Sequence, residues 1–159
     1  MPILGKKAAK AGGVTTADDT GIWRHSSAGT MEQLAREGGP APGTTNAVFS
    51  AFTSLAWTGS GSAGTAFVSK LKGTVKGAVT AANDVGFWVE DSAGALALAL
   101  REGQAVTFGT GPKTLKSFIV LGPALGALGQ GGSTNYVGGF AVLGTFTDKT
   151  TGVFTVWIP

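Results

Sequence analysis

Residues 95–103 read ALALALREG, a run in which small and large side chains alternate with a period of two. That spacing sends successive residues to opposite faces of a strand, and it predicts Leu96, Leu98 and Leu100 on one face. Short runs of similar kind recur along the chain: 21–27, 30–38, 47–57, 64–73, 86–92, 114–122 and 138–146. Each is strand-sized, rich in β-branched or aromatic residues, and bounded by glycine or by an Asp-x-Gly turn. MPILGKK (1–7) and GVFTVWIP (152–159) predict one further strand at the front and one at the back. Only TMEQLAREG (30–38) has helix-like spacing. Its counterpart ALALALREG alternates like a strand, so the strand reading holds for both.

The word counterpart has a literal basis. Residues 14–38 and 79–103 align without a gap, sixty-five positions apart, and twelve of the twenty-five positions are identical. The identities are Val14/Val79, Thr15/Thr80, Ala17/Ala82, Asp19/Asp84, Gly21/Gly86 and Trp23/Trp88. They continue at Ser27/Ser92, Ala28/Ala93, Gly29/Gly94, Arg36/Arg101, Glu37/Glu102 and Gly38/Gly103. In both copies Ser-Ala-Gly predicts a tight hairpin whose glycine takes a positive φ. KTTGVFTVW (149–157) resembles NDVGFWVED (83–91), with Gly152 in the place of Gly86, and MPILGKK lies sixty-five positions before AFVSKLK (66–72). Four short antiparallel strands in about 65 residues is the size of one β-propeller blade. The predicted fold is therefore all-β, a single domain of tandem four-stranded antiparallel units of that type. About two and a half repeats are present, with boundaries near 1–63, 64–137 and 138–159.

The chain has 159 residues, 43% hydrophobic and 13% charged, with 27 glycines that follow no period of three. It is long enough for a real core and neither polyelectrolyte nor collagen-like. The net charge of +3 comes mostly from lysine, in loose clusters at Lys6, Lys7, Lys10 and at Lys70, Lys72, Lys76. Lysine on strand edges blocks unwanted pairing, and no basic stretch is interleaved with aromatics, so no nucleic-acid partner is expected. There is no cysteine, hence no disulfide and no thiolate chemistry. No signal peptide and no membrane-length apolar segment is visible.

The motifs GIW (21–23), AREGGPAPG (35–43), GSAGTAFVSKL (61–71), GFW (86–88) and LREGQAV (100–106) resemble those of a family of bacterial tandem-repeat proteins. These are large secreted or surface-anchored proteins of planctomycete-like bacteria. Their repeats carry an Asn-x-x-Gly…Ala-Phe strand, a Gly-Ile-Trp strand and an Arg-Glu-Gly-Asp…Ala-Pro-Gly turn in a propeller-like array. The second copy here lacks the Ala-Pro-Gly end, and NYVGGFAVLG (135–144) shortens the spacing between Asn135 and Phe140. The resemblance implies architecture and an extracellular or cell-surface location, and it implies no chemistry.

Candidate chemistry is sparse. His25 is the only histidine, its counterpart is Glu90, and no Gly-x-Ser-x-Gly elbow accompanies it, so no triad or two-histidine metal site is expected. Glu37 and Glu102 each follow an arginine at matching positions. Arg36, Glu37, Arg101 and Glu102 are expected to tie strand ends to neighbouring units rather than to converge on a substrate. ADDTG and ANDVG lack the ligand pattern of a calcium loop. Trp23 and Trp88 are expected to pack between units. No metal, no cofactor and no enzymatic activity are expected.

Two and a half units cannot close a propeller ring, so open edges are expected at Ile3 on one side and at Phe154, Val156 and Trp157 on the other. The expected function is thus a non-catalytic extracellular scaffold whose copies associate through open sheet edges into a ring or a filament. The alternative is a carbohydrate-binding module for surface glycans, using Trp57 with Asn135 and Tyr136 from the glycine-rich loop 122–138.

Overall fold

The structure, a computed structural model, describes residues 2–7, 13–25, 29–57, 64–121 and 139–157, with Trp57 described by its backbone only. The described residues form strands β1 (Pro2–Lys6), β2 (Thr20–His25), β3 (Met31–Arg36), β4 (Ala47–Trp57), β5 (Thr65–Gly73), β6 (Val85–Glu90), β7 (Leu96–Arg101), β8 (Ala105–Phe108), β9 (Gly111–Val120), β10 (Gly139–Phe146) and β11 (Thr151–Trp157). The all-β class follows, every pairing is antiparallel, and the strands fall in three sheets. The N-terminal sheet is ordered β1-β2-β3, the middle sheet β4-β5-β6-β7, and the C-terminal sheet β11-β10-β9-β8.

Two differences from the sequence reading stand out. The sheets divide between 36 and 47 and between 101 and 105, not near 63 and 137, because β4 bonds β5 along its whole length and so joins the middle sheet. Leu100 also leaves the face expected for it. A register shift between Phe87 and Trp88 sets Trp88 opposite Leu98 and Phe87 opposite Leu100, with Ala99 as the extra residue of a β-bulge. Leu96 and Leu98 therefore pack on one side of the sheet and Leu100 on the other.

The core has two layers with the middle sheet between them. Ile22 and Ala35 of the N-terminal sheet meet Phe49, Phe67, Leu71 and Trp88 of the middle sheet. On the opposite side Ala66, Phe87, Val89 and Leu100 meet Leu115, Phe140, Val142 and Phe146 of the C-terminal sheet. Strand β6, VGFWVE, alternates its side chains into both layers and is buried from Gly86 to Glu90. Aromatic edges and faces fill each layer: Phe49 meets Trp88 at 4.9 Å between centroids and 78°, Phe87 meets Phe140 at 4.9 Å and 82°. Truncating a ring such as Trp88 to alanine removes about 3–5 kcal/mol of stability by transfer and cavity terms together.

The two aligned stretches make matching hydrogen bonds. The Thr15 N–H donates to Asp18 Oδ1 at 2.6 Å and the Thr80 N–H to Asn83 Oδ1 at 2.7 Å. Arg36 Nε donates to the Asp18 carbonyl at 2.7 Å and Arg101 Nε to the Asn83 carbonyl at 2.8 Å. After the strand, the Gly38 N–H reaches Phe49 O and the Gly103 N–H reaches Leu115 O, both at 2.8 Å. Gly38 and Gly103 have φ of 75° and 79°, the region open to glycine, so the chain turns at both points to bond the first long strand of the next sheet. Gly29 and Gly94 have φ of 84° and 81°, the positive values expected of them, and Gly94 closes the turn Ser92-Ala93-Gly94.

Candidate functional site

The outer side of the C-terminal sheet is where apolar side chains lie open. Register places Ile119, Leu143 and Val153 in one row across β9, β10 and β11, with Trp157 further along the same face. Ile119, Val153 and Trp157 are 63%, 66% and 59% exposed, and Leu143 is half-buried between them. The alternate residues Phe118, Val120, Phe154 and Val156 turn inward and pack on the second core layer. At the other end of the molecule, Ile3 and Trp23 stand opposite one another on the outer face of the N-terminal sheet, and His25 pairs with Met31 on that face. Ile3, His25 and Met31 are exposed there and Trp23 is half-buried. The Trp23 ring lies along Gly5 and Gly21, where any added Cβ would meet it at 3.0 and 2.8 Å.

Strands β1 and β11 are also sheet edges. The Leu121 N–H bonds the Ala141 carbonyl, so Ala141 turns its polar groups towards β9 and Val142 turns towards β11. Phe154, paired with Val142, turns back to β10, which leaves the N–H groups of Val153 and Thr155 directed off the open edge.

The charged clusters sit elsewhere, at the strand ends. Arg36 reaches Asp18 with both Nε and Nη2, the latter a 2.7 Å ion pair. Among the described residues Arg36 and Arg101 thus fasten the turn that precedes their own hairpin, in place of the expected tie to a neighbouring unit. Asp18 is held below the ordinary carboxylate range, chiefly by the backbone and hydroxyl hydrogen bonds of Thr15, with the Arg36 charge a smaller cause. In the second copy the aspartate is Asn83, and Arg101 Nη2 is buried with no hydrogen-bond partner among the described residues. The Glu37 and Glu102 N–H groups donate to Thr20 O at 2.9 Å and Val85 O at 3.0 Å. The carboxyls bend back on the same hairpins: Glu37 Oε2 accepts the Thr20 N–H at 3.3 Å, and Glu102 is hydrogen-bonded to the Val85 backbone and the Asp84 side chain. Burial pushes the Glu102 carboxyl up, and the neighbouring Asp84 charge adds to the effect. A cleft of about 350 Å³ opens there, lined by Gly43, Asn83, Leu98, Arg101, Glu102 and Gln104. Among the described residues no three acidic or histidine side chains gather as a metal site.

Among the described residues one charge pair bridges two sheets. Arg24 of β2 pairs with Glu90 of β6, which is buried, and Glu90 Oε2 also accepts the Thr65 N–H at 3.2 Å. The sequence did not single this pair out, because Arg24 aligns with Val89 and Glu90 with His25; neither member recurs.

The model of a family of unknown function, DUF7453, matches residues 7–159. The chain belongs to that family. No curated protein and no solved structure matches it. Within this family member Trp23, expected to pack between units, lies on the outer face of its own sheet against Gly5 and Gly21. Trp88, by contrast, packs between two sheets and donates its Nε1–H to the Pro42 carbonyl at 3.0 Å. That bond gives the Ala-Pro-Gly turn (41–43) a task. The aromatic that follows Gly152 is Phe154, which has no donor, and the second copy has no Ala-Pro-Gly turn to receive one. Asn135 and Tyr136, and the side chain of Trp57, lie outside the described residues. Ile3 and Trp157 are exposed, whereas Phe154 and Val156 turn their side chains to the core and their backbone groups to β10, so neither contributes to the open β11 edge expected of them. Sequence reasoning missed Ile119, Leu143 and Val153, whose apolar character reads the same as that of a core residue.

Proposed function

We propose that this protein is a non-catalytic scaffold component of the cell exterior, built of blade-like units of three or four strands, whose copies associate through the open ends of the sheet array. The observation that carries the reading is the contrast between sheets. The middle sheet has apolar residues on both faces and both are covered, while the outer face of the C-terminal sheet presents Ile119, Val153 and Trp157 to solvent. A contiguous open apolar row of this kind marks an interaction surface. The matching hydrogen bonds at Thr15–Asp18 and Thr80–Asn83, and at Gly38–Phe49 and Gly103–Leu115, support the repeated unit. The exterior location rests on the resemblance of the Gly-Ile-Trp and Arg-Glu-Gly motifs to those of secreted repeat proteins.

Sedimentation of the purified chain over a wide concentration range tests the association. Species heavier than the 15.8 kDa monomer, growing with concentration, are expected. A constant 15.8 kDa at every concentration would sink the proposal.

A further inference from the structure

The three sheets share one small motif: Gly21-Ile22-Trp23 in β2, Gly86-Phe87-Trp88 in β6 and Gly152-Val153-Phe154 in β11. In each the third residue is aromatic, and in the second and third sheets it looks back towards the preceding sheet. Trp88 packs on the N-terminal sheet and Phe154 on the middle sheet. The second residue looks forward. Ile22 packs into the layer shared with the middle sheet and is 0% exposed; Phe87 packs against the C-terminal sheet and is 1% exposed. Val153 holds the same forward position, yet it is 66% exposed. At the opposite end Trp23 holds the backward position on the outer face of the N-terminal sheet. Beside it stands Ile3, which pairs with Trp23 as Phe67 pairs with Trp88.

We infer that the outer face of the C-terminal sheet of one copy receives the outer face of the N-terminal sheet of a second copy, continuing the stacking that joins the sheets inside the chain. The inference rests on the self-association proposed above and moves the contact from the strand edge to the sheet face. A second copy is the occupant because the two end faces are unlike each other, and each matches a face buried inside the molecule. Val153 meets Ile3 and Trp23 as Ile22 meets Phe67 and Trp88. Such a contact is head-to-tail, so it propagates into a ring or a filament rather than ending at a two-fold dimer. The internal junction also carries the pair Arg24–Glu90. By position Arg24 corresponds to Thr155 and Glu90 to His25, so the junction between copies lacks the ion pair and is the weaker of the two.

Three full-length variants test this by sedimentation. Leu143 lies on β10, bonded to a strand on both sides, so its side chain takes no part in edge pairing but would be covered by face stacking. Leu143→Lys is expected to weaken assembly by about tenfold or more through a buried, unpaired charge, and Ile119→Lys, at an exposed position of the same row, to do the same. Circular dichroism verifies that both remain folded. The double variant His25→Glu with Thr155→Arg installs the missing pair and is expected to shift assembly to lower concentration, an effect that neither single substitution produces. Assembly that persists in Leu143→Lys and Ile119→Lys, or a double variant no tighter than its parents, overturns the face contact while leaving association through edges standing. A wild-type chain that is monomeric throughout overturns both.

Discussion

Asn83 is the one substitution that breaks the match between the two turn clips, and its cost can be measured. Asp18 accepts the Thr15 N–H with one oxygen and pairs with Arg36 through the other, whereas beside Asn83 the Arg101 Nη2 is buried with no hydrogen-bond partner among the described residues. Restoring the carboxylate by Asn83→Asp is expected to stabilise the protein by about 1 kcal/mol at neutral pH, the worth of a charge-assisted bond to a buried donor. The introduced carboxyl should titrate below its ordinary value, as Asp18 does. Its contribution is then present above the unfolded-state pKa and is lost as pH falls through the folded one, so urea midpoints of variant and parent should converge in acid. The glycines of the Gly-x-aromatic motif make a second residue-scale case. A Cβ on Gly86 would meet Trp88 Cζ3 at 2.6 Å, and that ring is fully buried. Gly86→Ala is expected to cost about 2–4 kcal/mol in chemical denaturation, while Gly109→Ala, with no atom within 4 Å, should be near neutral.

At the scale of the element, most strands were legible because period-two runs between glycines have one geometric reading. The observed β4, Ala47–Trp57, coincides with the run AVFSAFTSLAW. Strand β8, Ala105–Phe108, was missed because AVTF is too short to show a period; it exists because the turn 109–110 folds it onto β9. The face of Leu100 was illegible for another reason. A bulge is set by the partner strand, here by Phe87 and Trp88 requiring opposite layers, and nothing in ALALALREG itself announces it. Sheet membership of β4 was equally hidden, since a repeat period fixes the spacing of strands but not which neighbours bond. Deleting Ala99, the extra residue of the bulge, makes Leu98 and Leu100 consecutive and so keeps them on opposite faces of a regular strand. The deletion variant is expected to fold with both layers filled and the near-ultraviolet signal from Trp88 retained; loss of that signal would mean that the bulge itself is required.

Across the whole molecule, stability is graded from the centre outward. Strands β5 and β6 have bonded neighbours on both sides and a packed layer on each face, whereas β1 and β11 have one bonded side and one covered face. In a stack whose layers touch only their neighbours, opening starts at the ends. Native-state hydrogen exchange is expected to show the slowest amides in Phe67–Ser69 and Phe87–Val89 and the fastest strand amides in β1 and β11. Equal protection in all three sheets would mean that they open as one unit. The stagger between sequence period and sheet boundary has a practical result. A scission between residues 63 and 64 would separate β4 from β5, the longest ladder in the molecule, with nine paired positions. Each half would then display the complement of the other's bare strand, so co-expressed fragments 1–63 and 64–159 should reconstitute a folded heterodimer, whereas neither would survive alone. That would make the chain a ready split reporter.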